Sequence, residues 1–398
     1  MKDYFKHLKR SFAPLHLNNE DNLDNARASH PLELFFDLVF VVALGKVSHV
    51  FLQPDVKNII MAIILFLAIY QIWKNITKFN AYFFQHSLIN SFLFVIIMIP
   101  IFFITSMVNY NNLNNIYLLI VLFTFSRLIL SFTWYKLVYK NKLITNTYIN
   151  KVAKYYSGLY ISSSLILLVS FINYQLFYLI LITSVLVEIM GTYFVHYKLK
   201  KFTRPQIDID LLQERRVLFV ILIWGEALVT AGSVFPKYSS FTQAITMNLA
   251  LFLIISFFFL RAVASFGDAY NIKRMKFWLI EFTDYTFPLQ SLSLFVSIAG
   301  IASTQQINEL SRWIVIIDLA YINLTHYLGN LKATKQEYIN ANLAKFIKLD
   351  NLCLLLQGLI TVILIFVTGP QIFVYLILLI FILHFLAVPI RHRQTEYF

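Results

Sequence analysis

Twelve predominantly apolar runs, separated by short polar segments, constrain the fold of this 398-residue chain more than any other feature. A helix needs roughly 20 apolar residues to cross a bilayer, because it rises only about 1.5 Å per residue. Strands of membrane barrels need about ten, so runs of this length predict helices. The sequence therefore predicts an all-α, polytopic membrane protein of about twelve transmembrane helices. The predicted spans are 33–52, 56–76, 88–108, 116–136, 153–173, 175–197, 214–235, 241–265, 283–303, 311–331, 347–367 and 370–390.

The charge content agrees with a membrane environment. Charged residues make up 13% of the chain. A soluble domain carries about 25%, so the charges here are too few to cover a water-facing surface. The formal net charge of +13 would suggest nucleic-acid binding in a soluble protein. Here Lys and Arg lie mainly between the apolar runs, so we expect the lipid bilayer, and no nucleic acid, as the partner.

The distribution of the 33 Lys and Arg residues predicts the orientation of the chain. With the N-terminus in the cytoplasm, and with cations at helix ends counted with the adjoining loop, only Lys57, Lys237 and Arg312 fall on the outer side, and only Lys46 and Arg127 lie deeper within spans. A missed helix would exchange the sides of all later loops, so this asymmetry also supports the helix count. We expect a plasma-membrane protein with both termini in the cytoplasm and the first helix as an uncleaved insertion signal.

The segment 198–213 is the most basic of the predicted cytoplasmic loops and predicts a linker between two halves. The expected organisation is a cytoplasmic N-terminal segment (1–32), a first six-helix half (33–197), this linker, a second six-helix half (214–390) and a cytoplasmic tail (391–398). Because six is even, both halves would cross the membrane in the same direction, as in transporters built from parallel repeats. Residues 33–45 and 213–225 align weakly, but apolar helices also align by chance, so the repeat stays a hypothesis.

Two motifs in the chain match those of a known family. Residues 32–41 read Leu-Glu-Leu-Phe-Phe-Asp-Leu-Val-Phe-Val, and Glu214-Arg215 precede Leu218-Phe219-Val220-Ile221 and Gly225-Glu226. The first motif resembles the opening signature of the bacterial low temperature requirement protein A (LtrA) family. The second is similar to that family's Glu-Arg-Phe-Gly-Leu-Phe-Val-Ile-Ile-Val-Leu-Gly-Glu helix. The resemblance implies a multi-pass membrane protein, named for a growth requirement in the cold, and brings no molecular activity with it.

Four charged residues within the spans are the leading candidates for an ion path: Asp37, Arg127, Glu188 and Glu226. A lone ionised side chain at the bilayer centre costs about 2.5–3.5 kcal/mol on insertion scales, so such residues pair, face water or lose their charge. Arg127 keeps its proton, so we expect it to pair with Glu188 or Glu226. Glu226 follows Gly225, which would let a backbone or ligand approach. For each residue the alternative is a structural ion pair that fixes helix register.

Six further residues are secondary candidates: Glu33, Lys46, Glu214, Arg215, Asp318 and His326. Glu33 shares a helix face with Asp37, but the helix dipole also explains a carboxylate in the first turn. Arg215 is placed to pair with Asp37 at the cytoplasmic side. Lys46 either extends to the interface or meets Glu188 or Glu226. Asp318 and His326 lie eight apart on roughly one face of the tenth span, where packing and transport roles both stay open. Glu214 opens the seventh span.

Several carboxylates and few cations lie within the spans, which favours a transporter or channel-like permease moving, or coupled to, protons or small cations. Two alternatives stay open: a membrane-embedded enzyme acting on a lipid or isoprenoid carrier, and a non-catalytic membrane component supporting growth in the cold. The sequence has no Gly-rich phosphate loop, nucleophile elbow or zinc-protease motif, and its single cysteine, Cys353, excludes an internal disulfide. We therefore predict no cofactor and no metal site.

Overall fold

The computed structural model describes residues 31–52, 55–83, 88–107, 116–141, 144, 146–202, 209–232, 240–268, 277–304, 306–334 and 341–386. Within these ranges every regular element is a helix and no β-strand is present, which agrees with the predicted all-α class. Most of the predicted N-terminal segment, residues 203–208 of the predicted linker and the whole predicted tail lie outside the described residues.

Twelve α-helices occur in the described ranges, and each overlaps one predicted span. They are α1 (Pro31–Ser48), α2 (Val56–Tyr82), α3 (Leu88–Met107), α4 (Ile116–Phe132), α5 (Thr147–Leu168), α6 (Phe177–Lys198), α7 (Ile209–Gly232), α8 (Phe241–Asp268), α9 (Phe277–Thr304), α10 (Glu309–Thr334), α11 (Ala341–Ile363) and α12 (Pro370–Leu386). Short 3₁₀ segments, His49–Leu52, Val169–Phe171 and Tyr174–Leu176, follow α1, follow α5 and precede α6.

Two helices extend beyond their predicted spans into polar sequence. α2 continues to Tyr82 because polar side chains of its last turns, including Asn75 and Asn80, are buried with the rest of the helix. α5 begins at Thr147 because the Asn146 side chain caps it, accepting a hydrogen bond from the Ile149 main-chain N–H at 3.1 Å. Hydropathy alone locates the apolar centre of a helix and misses such turns.

The end of α4 changes to a π-helix over Thr133–Tyr139. The Lys140 N–H donates to the Tyr135 carbonyl at 3.0 Å, which is the five-residue spacing of this geometry. Trp134 in this segment is buried and meets the Phe79 ring edge-on at 5.3 Å and the Tyr156 ring at 5.0 Å. π-helical turns are rare and are frequent at functional sites. This one brings α2 and α5 around Trp134.

Six helical stretches of the described chain are by themselves long and apolar enough to cross a membrane. They are Pro31–Leu52, Val56–Tyr82, Ile116–Tyr139, Thr147–Phe171, Tyr174–Lys198 and Phe241–Phe258. Four shorter apolar stretches are Ser91–Met107, Pro288–Ala302, Asp350–Ile363 and Pro370–His384. The helices therefore support a multi-pass membrane protein, while the count of twelve crossings and the repeat stay predictions.

The chain forms two compact units. The first comprises Met1–Val47 and Ile60–Phe219, and the second comprises Ser48–Ile59 and Val220–Phe398. In the first unit α3 packs on α4, α4 on α5, and α5 on α6. Large apolar side chains such as Phe92 and Phe102 point outward from this unit, as suits a surface in contact with lipid. The division into six-helix halves predicted from the sequence stays a prediction.

In the second unit α8 packs on α12, α9 on α10, α10 on α11, and α11 on α12. α9 also packs on the 3₁₀ segment His49–Leu52. Gly300 makes this contact possible, because a Cβ at that position would lie 2.5 Å from the Leu52 carbonyl oxygen and 3.0 Å from its Cα. Only glycine fits there without a shift of the Leu52 main chain.

Candidate functional site

Arg127 of α4 and Glu188 of α6 form a fully buried ion pair in the first unit. Both side chains have zero exposure, and Arg127 Nε lies 2.6 Å from Glu188 Oε1. Ser163 of α5 donates its hydroxyl to the same carboxylate oxygen and accepts a hydrogen bond from Arg127 Nε at 2.8 Å. The other guanidinium nitrogens reach the Phe123 carbonyl at 3.3 Å and the Ser184 hydroxyl at 3.4 Å. The structure thus selects Glu188 from the two predicted partners of Arg127.

The two oxygens of the Glu188 carboxylate are used unequally. Oε1 receives both the Arg127 and the Ser163 contacts, whereas Oε2 is buried and has no hydrogen-bond partner among the described residues. A two-pronged arginine–carboxylate pair would engage both oxygens. Thr192, one turn further along α6, is also buried, and its hydroxyl likewise has no partner in the described ranges. Glu188 Oε2 is therefore open to a further hydrogen-bond donor beside the Arg127 pair.

Asp37 of α1 and Arg215 of α7 form a second buried ion pair in the first unit, again with zero exposure of both side chains. Arg215 Nη2 lies 2.5 Å from Asp37 Oδ1, and Arg215 Nε lies 3.3 Å from Oδ2, so this pair is two-pronged. Trp73 of α2 donates its indole N–H to Asp37 Oδ1 at 2.7 Å. The predicted pairing of Arg215 with Asp37 is present, and Trp73 is a partner that the sequence did not reveal.

Aromatic rings enclose the Asp37–Arg215 pair. The Arg215 guanidinium carbon lies 5.6 Å from the centre of the Phe36 ring, and Trp73 stacks on Phe219 with ring centres 4.1 Å apart. Arg215 Nη1 is buried and makes no hydrogen bond to the described residues. Glu33, one turn before Asp37, is also buried. The ion pair and the stacked rings together fix α1, α2 and the first turns of α7.

A third polar cluster of the first unit is absent from the residues that the sequence predicts as candidates. It joins Lys78 of α2, Tyr148 and Tyr156 of α5, and His196 of α6. Lys78 Nζ lies 2.9 Å from His196 Nε2 and 3.3 Å from Tyr156 Oη. Tyr148 Oη lies 2.8 Å from His196 Nδ1, and Tyr156 Oη lies 3.1 Å from Nε2. A signal was available: His196 follows Glu188 by eight residues, a spacing that places both on roughly one helix face.

Asp318 of α10, in the second unit, bonds to uncharged groups. Ser293 of α9 donates its hydroxyl to Asp318 Oδ2 at 2.6 Å, and Gln290 Nε2 donates to the Asp318 main-chain carbonyl at 2.6 Å. No ion pair joins Asp318 to Lys, Arg or His in the described ranges. A desolvated carboxylate without a counter-ion is stabilised by a proton or a bound cation. Asp318 therefore differs from the neutralised carboxylates of the first unit.

Glu226 of α7, also in the second unit, lies near His49. Glu226 Oε1 is 3.9 Å from His49 Nε2, and the two side chains are 24% and 48% exposed. A Cβ at Gly225 would meet no described heavy atom within 4 Å, so no described main chain makes the close approach that this glycine would permit, and approach of a ligand there stays a prediction. The role of Glu226 in an ion path stays a prediction.

The remaining candidates are dispersed. Lys46 is exposed in the last turn of α1, and Glu214 is half-buried near the start of α7. His326 belongs to α10, but its side chain lies outside the described residues. No three His, Cys, Asp or Glu side chains come together in the described chain in a way that would hold a metal ion.

Comparison with known families agrees with the motifs. A sequence model of the family described as Bacterial low temperature requirement A protein (LtrA) matches residues 28–266, which is more than half of the chain. No curated protein and no solved structure matches the chain significantly. The matched region contains both buried ion pairs and the Lys78–His196 cluster, whereas Asp318 lies beyond it.

Proposed function

For this chain, which belongs to the bacterial LtrA family, we propose the function of a plasma-membrane permease that moves protons or small cations, or couples another solute to them. Its apolar helices support a multi-pass membrane location. The twelve crossings and the cytoplasmic position of both termini belong to the proposal. The distribution of Lys and Arg between alternate loops supports them.

The observation that carries the proposal is the environment of Asp318. Its carboxylate accepts a hydrogen bond from Ser293 and has no cationic partner among the described residues. A carboxylate at membrane depth that lacks such a partner gains most from a proton or a small cation. Reversible binding of that charge is the elementary step of a proton- or cation-coupled carrier.

The buried ion pairs of the first unit support coupling of a bound charge to helix packing. Protonation of Asp37 or Glu188 would leave Arg215 or Arg127 buried with an uncompensated charge. Breaking one side of a buried pair costs about 3–5 kcal/mol, so protonation favours a rearrangement of the helices that carry the pair. Binding of a proton would thereby change the packing of these helices as well as the charge of the pair.

The test is ion flux through the purified protein in liposomes, with internal pH and potassium followed under an imposed membrane potential. Asp318→Asn removes the charge while retaining side-chain size, and we expect flux to fall at least about tenfold, equivalent to about 1.4 kcal/mol in the barrier. Glu309→Gln is the matched control on the same helix, because the Glu309 side chain is 74% exposed. Glu226→Gln tests the leading candidate from the sequence in the same assay.

If the Asp318→Asn variant folds and keeps the wild-type flux, Asp318 does not belong to the ion path. Absence of proton and cation flux from the wild-type protein, under both signs of potential, would reject movement of protons or small cations without a coupled solute. If the Glu226→Gln variant keeps the wild-type flux, Glu226 likewise does not belong to the ion path.

One observation favours a second candidate, binding of a lipid or isoprenoid chain. A groove of about 750 Å³ lies between α10 and α11 of the second unit, and most of its lining is apolar. Its polar lining is Asn323, Asn351, Thr361 and Tyr327, and no carboxylate of the described residues lines it. The groove suits an acyl or isoprenoid tail. Mass spectrometry of lipids that co-purify with the protein tests this candidate, and unselective bulk lipid would count against it.

A further inference from the structure

One face of α6 carries a polar side chain at every turn. Ser184, Glu188, Thr192 and His196 follow each other at intervals of four residues, and all four are buried. This spacing places them along one helix face at steps of about 6 Å. A buried polar stripe of this length is costly unless its groups are hydrogen-bonded, so the partners of the stripe define its role.

The side of α5 that faces this polar stripe of α6 also carries hydroxyl groups. Ser163 bonds to Glu188 at one end, and Tyr148 and Tyr156 bond to His196 at the other. Tyr160 lies between these two ends in sequence and is fully buried. The two helices therefore enclose a polar column that reaches from the Arg127–Glu188 pair to Lys78.

The contacts of His196 define where its proton resides. An ammonium group has no lone pair, so Lys78 Nζ donates to His196 Nε2 at 2.9 Å. Nε2 is then an acceptor, and the ring proton resides on Nδ1 and is donated to Tyr148 Oη at 2.8 Å. Two like charges at this distance repel strongly, so Lys78 and His196 hold one positive charge between them.

The middle of the stripe contains two buried oxygens that have no hydrogen-bond partner within the described part of the chain. Thr192 Oγ1 and Glu188 Oε2 have no hydrogen bond to the described residues. Other hydroxyls of α6 bond to their own helix, since Ser184 donates to the Leu181 carbonyl at 2.7 Å and Thr183 donates to the Ile180 carbonyl at 2.8 Å. Buried polar atoms that lack a protein partner commonly bind water. Thr192 is thus placed to bridge the two ends through water.

We propose that this column is a proton-transfer chain leading from Lys78 and His196 through Tyr156 and Thr192 to Glu188. The chain deepens the proposed permease by naming a path for the proton, and its physiological role rests on that function.

The transfer is balanced at each step. The Lys78 Nζ–H bond breaks as a His196 Nε2–H bond forms, which leaves a neutral amine and an imidazolium. His196 passes this proton to Tyr156 Oη at 3.1 Å, while the Tyr156 hydroxyl releases its own proton through water toward Thr192. Thr192 Oγ1 accepts that proton from water as its own O–H bond breaks, and the released proton forms the Oε2–H bond on Glu188. The Lys78 amine regains a proton from water.

The charged and titratable groups that face the chain come from four helices. They are Lys78 on α2, Arg127 on α4, Tyr148, Tyr156 and Tyr160 on α5, and Glu188 and His196 on α6. Arg127 opposes a long-lived proton on Glu188, because its own charge would then be uncompensated. Glu188 is therefore a transient carrier, and it keeps the Arg127 and Ser163 contacts on Oε1 while Oε2 carries the proton.

The test is a rapid pH drop applied to the purified full-length protein, followed by time-resolved infrared spectroscopy of the carboxylic C=O stretch. The Glu188 band is identified by its shift in Glu188→Asp. Thr192→Val removes the bridging hydroxyl at nearly constant volume, and His196→Gln removes the relay base. We expect each to slow the appearance of the band about tenfold. Thr183→Val on another face of α6, and His384→Gln on α12, are matched controls that keep the wild-type rate.

Equal rates in the wild type, Thr192→Val and His196→Gln would overturn the chain, and so would a pH drop that produces no Glu188 band. Neither result depends on net flux. Absence of ion flux from the wild-type protein in liposomes would therefore speak against ion movement by the permease, whereas an unchanged infrared rate in the variants would speak against the proton path.

Discussion

Arg127 and Glu188 show how a buried charge acts on stability through its partner. Removing two ions from water is costly, and their mutual attraction offsets this cost only when further hydrogen bonds are present. Ser163, Ser184 and the Phe123 carbonyl supply those bonds here. The intact pair therefore contributes little net stability, but each partner depends strongly on the other.

Glu188→Gln is expected to lower the free energy of unfolding by about 3–5 kcal/mol, because Arg127 remains buried and charged. Glu309→Gln breaks an exposed pair with Arg312 and is expected to cost less than about 1 kcal/mol. Replacing Arg127 and Glu188 together by Met should restore most of the loss. Denaturant unfolding of the purified variants measures all three values. A similar cost for Glu188→Gln and Glu309→Gln would contradict the buried-pair interpretation.

The buried charges also show what sequence can predict at this scale. The rule that an arginine at membrane depth needs an anion predicts a carboxylate partner for Arg127, and the position of Arg215 at the cytoplasmic side predicts its pairing with Asp37; both pairs are present. The choice of Glu188 over Glu226 is not predictable from depth, because it depends on which helices are neighbours. The contact between Lys78 and His196 is not predictable from the sequence for the same reason, since the two residues are 118 positions apart and meet only through helix packing.

At the scale of elements, the contact between α9 and the 3₁₀ segment His49–Leu52 depends on the missing side chain of Gly300. The Leu52 main chain occupies the volume that a Cβ would need, and a main chain yields less readily than a flexible side chain. At Gly191, by contrast, the neighbouring atoms belong to the Leu159 side chain, which is able to turn away.

Gly300→Ala is therefore expected to destabilise the protein by about 1–3 kcal/mol through overpacking. Gly358→Ala, in α11 of the same unit, meets no described heavy atom within 4 Å. It should be neutral or stabilising by up to about 1 kcal/mol, because alanine favours helix. Thermal unfolding of both variants in one detergent gives the comparison. Equal melting temperatures for the two would show that α9 and the 3₁₀ segment have room between them.

The length of the apolar runs predicts the existence and order of the helices, because a helix needs a minimum apolar length to cross a bilayer. It does not predict their polar ends, so the last turns of α2 and the first turn of α5 extend beyond the predicted spans. The π-helix Thr133–Tyr139 has no comparable sequence signal, since the extra residue is accommodated by the packing of Trp134 among rings from α2 and α5.

At the scale of the whole molecule, the side of the membrane on which each loop lies is the property that hydropathy and charge predict together. The predicted topology places Gln175 and Glu309 outside and Lys200 in the cytoplasm. Gln175 and Glu309 are separated by α6 to α9, four helices, so they lie on the same side only if an even number of those helices crosses.

In a Cys353→Ala background, cysteines at Gln175 and Glu309 are expected to react with a membrane-impermeant maleimide added to intact cells. A cysteine at Lys200 is expected to react only after lysis. All three side chains are exposed. The labelled fraction on gels measures accessibility. Opposite behaviour of the Gln175 and Glu309 positions would show that one of the four intervening helices does not cross.

The Asp37–Arg215 pair has a consequence for the newly synthesised chain. Its two members are 178 positions apart. At ribosomal rates of about 5–20 residues per second, roughly 10–35 s pass between the synthesis of one and of the other. During that interval the nascent α1 carries its carboxylate without the guanidinium, and slower elongation, as in the cold, prolongs the wait. Asp37 of α1 thus gains its ionic partner only after the start of α7 has been synthesised.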